Sequence, residues 1–486
     1  MLEYIKQHTE HNVRVVFIFT MLYWFSNSIM MHQVLSGYMY VLTGSNKAMG
    51  TLTAIQGIAQ VLLALPAGYI ADRYRRDRNL KMAAGLGILS AIMTALAIGM
   101  SHLGLMYVSF GIWGAFTALQ RPAMEAIFAD SIPRGRRSFP FTVKFVIMNA
   151  GLTLGRLIAI VFFTQHEDDW AFFQLRAVIL FGVFTITLSM FPLLYFDDDV
   201  SFEIRMKYLV VEKELRSIGR HFDIELSDSI QSVEIHPAGH SHNHIKHDNG
   251  LFSSGESERS RLLLSPYESI TSPDPIYLSP SKPPGSKKCT LEYLNDSQVP
   301  YLLVLSGFII DNASGLTASF IPFYFFRKYD LSPVQMQSLF VIHPACVALF
   351  SLFIQWQSKR WGRMPVILVT RVFGSLCLFQ MASTQAFRTL VALFLLNAVL
   401  ITSAEPLQKS LLMDFLPRQQ RARWSSLEEV SMFVCKGSAL VGVHLVETKG
   451  FQYCIWITSL IYLIGILFET LLVPLTRHAR ESVEDF

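Results

Sequence analysis

The chain has 486 residues, 51% of them hydrophobic and 16% charged, with a net charge of +4 and a mean hydropathy of +0.37. It is far too apolar for an ordinary soluble protein. The small basic excess is explained by Lys and Arg gathered in cytosolic loops, and no nucleic-acid partner is expected.

Residues 1–13 hold no short apolar core ending in small residues, so no cleaved signal is expected and the first apolar run is read as a permanent span. A helical span needs about 20 mostly apolar residues, and about twelve segments qualify. They are 14–40, 48–70, 80–100, 104–128, 140–163 and 171–195, then 299–325, 334–356, 364–383, 387–412, 425–446 and 451–475. Their length predicts helices, because a membrane strand needs only about 9–11 alternating residues. The expected class is an all-α membrane protein with twelve transmembrane helices in two pseudo-symmetric six-helix halves, 14–196 and 299–475.

Short basic loops set the orientation. Arg73, Arg75, Arg76, Arg78 and Lys81 follow the second span; Arg134, Arg136 and Arg137 the fourth; Lys359, Arg360 and Arg363 the eighth; Arg418, Arg421 and Arg423 the tenth. Positive-inside reasoning places these loops, both tails (1–13 and 476–486) and the middle segment 197–298 in the cytosol.

The middle segment opens on Asp197, Asp198 and Asp199 and becomes rich in Ser, Pro and charge. Most of it is expected to be disordered, with nothing packed depending on it. His236, His240, His242, His244 and His247 read as a solvated tract, so no metal site is expected. Glu258 to Leu263 (ERSRLL) is similar to an acidic dileucine signal for sorting adaptors, and Tyr267 to Ile270 to a tyrosine-based one. They bring in an endosomal, lysosomal or vacuolar membrane beside the plasma membrane as the expected location. Ser265, Ser272 and Ser279 each precede proline and are candidate phosphorylation sites. The five cysteines are widely spaced, four of them in apolar segments, and suggest neither a disulfide framework nor a zinc site.

The stretch QRPAMEAIFADSIPRGRRSFPFTVK, Gln120 to Lys144, has a second copy. At one constant offset Pro122 answers to Pro406, Asp130 to Asp414, Pro133 to Pro417 and Arg137 to Arg421. At the same offset Arg121 becomes Glu405, Glu125 becomes Lys409 and Lys144 becomes Glu428. The turn is kept and the charges beside it are inverted.

Gly68, Asp72 and Arg73 in GYIADRYRRDR close the second span. Glycine permits a tight helix approach, and the acid and bases can cap neighbouring helix ends. This loop resembles the signature of the major facilitator superfamily, similar to G-x-x-x-D-R-x-G-R-R, with Arg75 in place of the later glycine and Asp77 where a base is usual. A degraded echo, KRWGR, follows the eighth span. Gly151 and Gly155 resemble the start of the glycine motif of proton-coupled drug antiporters, a branch to which the chain is distantly similar. Here Arg156 follows instead of proline, and small-residue packing is the alternative.

The resemblance implies a monomeric transporter of a small molecule, with halves related by a two-fold axis along the membrane normal. Sign-inverted equivalents near that axis then face each other. Arg121 with Glu405 and Lys144 with Glu428 are the expected inter-half pairs of a cytosolic gate that includes Glu125 and Lys409, the alternative being Arg121 with Glu125. Intramembrane charges mark pathways and proton sites. Asp311, beside Asn312, is the leading proton candidate, with His343 and His32 weaker. Arg156 would attract an anionic substrate group or pair with Asp311; Asn27, Gln33, Gln120 and Asn397 would line the cavity.

No G-x-x-x-x-G-K-[ST], H-E-x-x-H or G-x-S-x-G occurs, so neither direct ATP drive, nor a cofactor, nor an intramembrane enzyme is expected. The expected activity is secondary transport by alternating access, energised by protons through Asp311 or the Glu125 and Glu405 region. The alternatives are passive facilitation, and a sensor or scaffold signalling through 197–298.

Overall fold

The computed structural model describes residues 11–31, 33–44, 46–165, 172–201, 298–318, 333–384 and 386–476. The histidine tract, the sorting-like motifs and the candidate phosphoserines lie outside them, as do His32 and residues 1–10 and 477–486.

Each expected span contains helix. The first half holds His11–Met30 continued by Gln33–Thr43, then Asn46–Arg73, Arg76–Gly99, Leu103–Asp130, Ser138–Gln165 and Phe172–Met190, which ends in the 3-10 turn Phe191–Tyr195. The second half holds Val299–Ala318, Pro333–Trp361, Arg363–Ser383, Phe387–Thr402 continued by Glu405–Phe415, Arg421–Lys449 and Phe451–Leu475.

Among the described residues eleven helices are long and apolar enough to cross a membrane. The eleventh span, Arg421–Lys449, has 29 residues and carries the adjacent acids Glu428 and Glu429. Those two side chains meet protein partners, as the site geometry explains.

One span is broken within the described residues. In the tenth, Ser403 and Ala404 separate the two helices just before Glu405 and Pro406. Pro406 has no N–H to give the carbonyl four residues earlier, which favours a break there. Its repeat equivalent Pro122 lies inside the unbroken helix Leu103–Asp130, so proline permits the break without forcing it.

Within the first half one large cluster unites Phe19, Tyr23, Phe110, Trp113, Phe116 and Phe128. Between lipid-immersed helices, close packing and hydrogen bonds must replace the hydrophobic drive. Thus Trp113 donates to Thr94 Oγ1 at 3.1 Å, and Gly151 and Gly155 lie against backbone of the first span. A Cβ at Gly151 would stand 3.1 Å from Met21 O, and one at Gly155 2.5 Å from Phe25 O. The halves meet through the second span with the eleventh, the fifth with the eighth, the fourth with the eleventh, and the fifth with Glu405–Phe415.

Candidate functional site

The D-x-x-P turns meet on the membrane face that carries the basic loops. Asp130, at the end of the fourth span, bonds Arg421 of the opposite half and Arg76 of its own; Arg418 Nε adds a contact at 2.8 Å. The mirror arrangement holds Asp414, which meets Arg137 of the first half at 3.1 Å and Arg363 of its own at 2.7 Å. Asp130, Arg137 and Arg421 are fully buried. Arg137 also donates to Ala129 O at 2.9 Å and Met413 O at 2.7 Å. Each arginine after a turn therefore crosses to the acid before the other turn. Retained signs, related by two-fold symmetry, thus give reciprocal pairs.

Asp72 completes this layer. Its carboxylate accepts the backbone N–H groups of Ala422 at 3.0 Å and Arg423 at 2.9 Å, in the first turn of the eleventh span. An acid there satisfies otherwise orphaned donors and complements the helix dipole. Gly68 allows the approach, since a Cβ on it would collide with Ser426 Oγ and stand 3.0 Å from Ala422 O. Gln355 of the eighth span is the counterpart, donating to Ser138 Oγ at 2.7 Å and accepting from Thr142 at 3.2 Å at the start of the fifth span. Arg73 is exposed and donates to Tyr69 Oη at 2.7 Å.

Deeper in the membrane lies the predicted gate, paired differently. Arg121 meets Glu429 at 3.0 Å, not Glu405, and Gln60 donates to the same Glu429 at 2.5 Å. Lys144 bonds Glu125 of its own half, not Glu428. Lys409 lies 3.4 Å from Glu125 across the halves and 3.0 Å from Glu428 within its own. The reason is azimuth. Successive helical residues point about 100° apart, so Glu429 faces the second and fourth spans while Glu428 turns to Lys409. Glu405 opens the lower helix of the tenth span and is exposed.

A second polar cluster joins the seventh, ninth, tenth, eleventh and twelfth spans. Asp311 accepts from Ser431 Oγ at 3.2 Å, and the cation within electrostatic reach of it is Arg371 of the ninth span. Arg371 is ion-paired with Glu469 of the twelfth span and bonds Gln408. Neither Arg371 nor Glu469 carries a sequence expectation, although the rule that intramembrane charge marks function flags both.

The other candidates are dispersed. Asn312 donates to Phe308 O at 2.7 Å and Asn397 to Gly374 O at 2.8 Å, bonds internal to the helices and their packing. Asn27 bonds the Tyr23 hydroxyl. Gln120 is buried and donates to Met124 Sδ at 3.1 Å. Arg156 lies within electrostatic reach of His343, which brings fifth and eighth spans together. Gln33 is in a helix whose side chain at that position is outside the described set. No group of His, Cys, Asp and Glu fit for a metal occurs among the described residues.

Outside the membrane, the root of the middle segment is packed after all, contrary to expectation. Asp198 lies 3.0 Å from Arg418 of the other half, and Asn12 donates to Asp197 O at 2.6 Å. Arg75 meets Asp77 at 3.1 Å and Asp199 at 2.8 Å. The hydrogen bond to Asp77 holds the Arg75 guanidinium above its ordinary range, while burial opposes it and Asp199 adds to it. Burial pushes the Asp198 carboxyl up, against the pull of Arg418 and Arg76.

Twelve spans, a six-plus-six arrangement and reciprocal latches at a repeated turn set the fold in view. The sequence profile of the Major Facilitator Superfamily matches residues 15–205 and 303–486. The chain belongs to that superfamily. It is similar to a Na(+), Li(+), K(+)/H(+) antiporter of Planococcus maritimus, 29% identical over 161 residues, covering 33% of this chain and 36% of that one. An uncharacterised MFS-type transporter of Bacillus subtilis (strain 168) is 31% identical over 151 residues, covering 31% and 36%. The chain thus spans about a third of the length of these curated relatives. A solved proton:xylose symporter shares the fold with a TM-score of 0.63 at 13% identity, covering 95% of each chain.

Proposed function

We propose that this superfamily member is a secondary active transporter that moves a small solute by alternating access, with protons exchanged at Asp311 and Glu405. The observation that carries this is the two-layered set of inter-half bonds at the basic-loop ends of the spans: Asp130 with Arg421, Asp414 with Arg137, Arg121 with Glu429 and Lys409 with Glu125. Bonds that join two pseudo-symmetric bodies at one end close that end, and breaking them lets the bodies rock about a midplane site. The basic face is the cytosolic face in this reading. The ionisable groups beyond the latch, Asp311 and Glu405, are the natural carriers of the coupling ion. The names of the relatives support ion coupling, since one is called a cation/proton antiporter and a structural neighbour a proton symporter.

The test is proton flux. Full-length protein in liposomes carrying a trapped pH dye is challenged with Na+, Li+, K+, D-xylose and a panel of organic anions and cations. A solute that changes luminal pH in the wild type, with that change lost in Asp311→Asn, is the expected result. Solute movement with no pH change at any imposed gradient indicates a passive facilitator. Ligand-induced thermal stabilisation without any flux indicates a sensor instead.

A further inference from the structure

Arg371 is 3% exposed and Glu469 0%, both in the membrane interior. Two other spans fix the pair. Gln408 of the tenth span accepts from Arg371 Nη2 and donates to Leu303 O of the seventh at 3.2 Å. Ser306, also of the seventh, donates to Glu469 Oε1 at 3.4 Å. Span twelve supplies Glu469 itself.

A purely structural pair needs one acid for one base. Here the guanidinium also stands within electrostatic reach of Asp311 and Glu405, and those two carboxylates reach each other. One buried cation thus faces three carboxylates. Glu469 Oε2 and Arg371 Nε have no hydrogen-bond partner among the described residues, so the pair is not saturated by its surroundings. The remaining charged groups of the neighbourhood are Lys409 and Glu428, which act on Glu405; Lys409 is already shared between Glu125 and Glu428. Ser431 and Tyr462 are the other polar neighbours. A fixed charge within electrostatic reach of an acid governs how readily that acid takes a proton.

We propose that Arg371 is the positioning residue of the proton site at Asp311 and Glu405, and that Glu469 is its counterweight, drawing part of the guanidinium's charge away from them. This rests on the proton-coupled reading above. A proton entering from the open face binds a carboxylate oxygen of Asp311 or Glu405 and leaves by the other face, while Arg371 and Glu469 stay charged throughout. Neutralising the two members then has opposite effects. Loss of Arg371 removes a cation and makes the proton bind more tightly; loss of Glu469 frees the cation and makes it bind more weakly.

The experiment is infrared titration of the protonated-carboxyl band on the full chain in lipid nanodiscs, with no solute added. Asp311→Asn and Glu405→Gln identify the contribution of the site. Arg371→Gln is expected to move the titration midpoint to higher pH, about tenfold tighter proton binding, and Glu469→Gln to move it to lower pH by a similar factor. Arg371→Lys, which keeps the charge, holds the midpoint near the wild type. If Arg371→Gln does not fold with Glu469 left uncompensated, the neutral double variant Arg371→Gln/Glu469→Gln carries the test: its midpoint is expected at higher pH than that of Glu469→Gln, and an equal or lower midpoint overturns the inference. Shifts in the same direction, or none, overturn the inference while leaving proton coupling standing. A wild-type band unaffected by both Asp311→Asn and Glu405→Gln overturns the coupling reading and this inference with it.

Discussion

Arg121 has Glu125 one helical turn away, yet its guanidinium bonds Glu429 of the other half, while Glu125 is held by Lys144 and Lys409. Four residues of separation brings side chains onto one face, but stronger local partners decide the pairing. Reversing either charge of the Arg121 and Glu429 pair places like charges together. Each of Arg121→Glu and Glu429→Arg is expected to reduce the latched population about tenfold, and the double variant to restore most of it. Spin labels at Arg78→Cys and Arg360→Cys, exposed positions on the basic face of either half, report the population as a distance distribution. Rescue of Arg121→Glu by Glu405→Arg instead would contradict the observed pairing. The sequence made these six gate residues visible because charge in a span is rare; it hid their partners because a one-residue difference in register turns a side chain by about 100°.

At the scale of the helix, hydropathy reveals where spans lie, and their ends follow from capping chemistry. The second span fits this pattern: expected at 48–70, it runs Asn46–Arg73, far enough for Asp72 to reach the first turn of the eleventh span. What remained illegible were the partners of Glu428 and Glu429 in the eleventh span, which only its neighbours reveal, and the break in the tenth, which Pro406 has and Pro122 lacks. The cap gives a graded prediction. Asp72→Asn keeps an acceptor but loses the charge, weakening the latch by about 0.5–1 kcal/mol. Gly68→Val forces side chain into Ser426 and the Ala422 carbonyl, where backbone cannot yield, and is expected to remove most of the short-distance population. Equal effects of the two substitutions, in the same spin-label measurement, would mean that helix approach is not what the glycine provides.

Across the whole molecule, the covalent connection between the halves takes part in the closure it spans. Asp198 follows the sixth span, yet its carboxylate lies 3.0 Å from Arg418 of the second half, and Arg418 in turn contacts Asp130. A long polar segment reads as a passive tether from composition alone, since packing of its first residues leaves no compositional trace; only the acidic run Asp197 to Asp199 hinted at a basic partner. Closure buries Asp198, and burial raises its proton affinity above the ordinary carboxyl value of 3.8, while Arg418 and Arg76 pull it down and Asp130 pushes it up. A group that binds protons more tightly in the latched state than when exposed favours that state in acid. Its contribution is fully present below the exposed value and is lost as pH rises through the raised one. Acidifying the basic-face compartment is therefore expected to increase the short-distance population between labels at Arg78→Cys and Arg360→Cys, and Asp198→Asn to flatten that dependence. Asp199, which pairs with Arg75 inside the first half, supplies the control: Asp199→Asn should retain the slope. A slope that survives in Asp198→Asn, or disappears equally in Asp199→Asn, would assign the pH response to other acids of the latch.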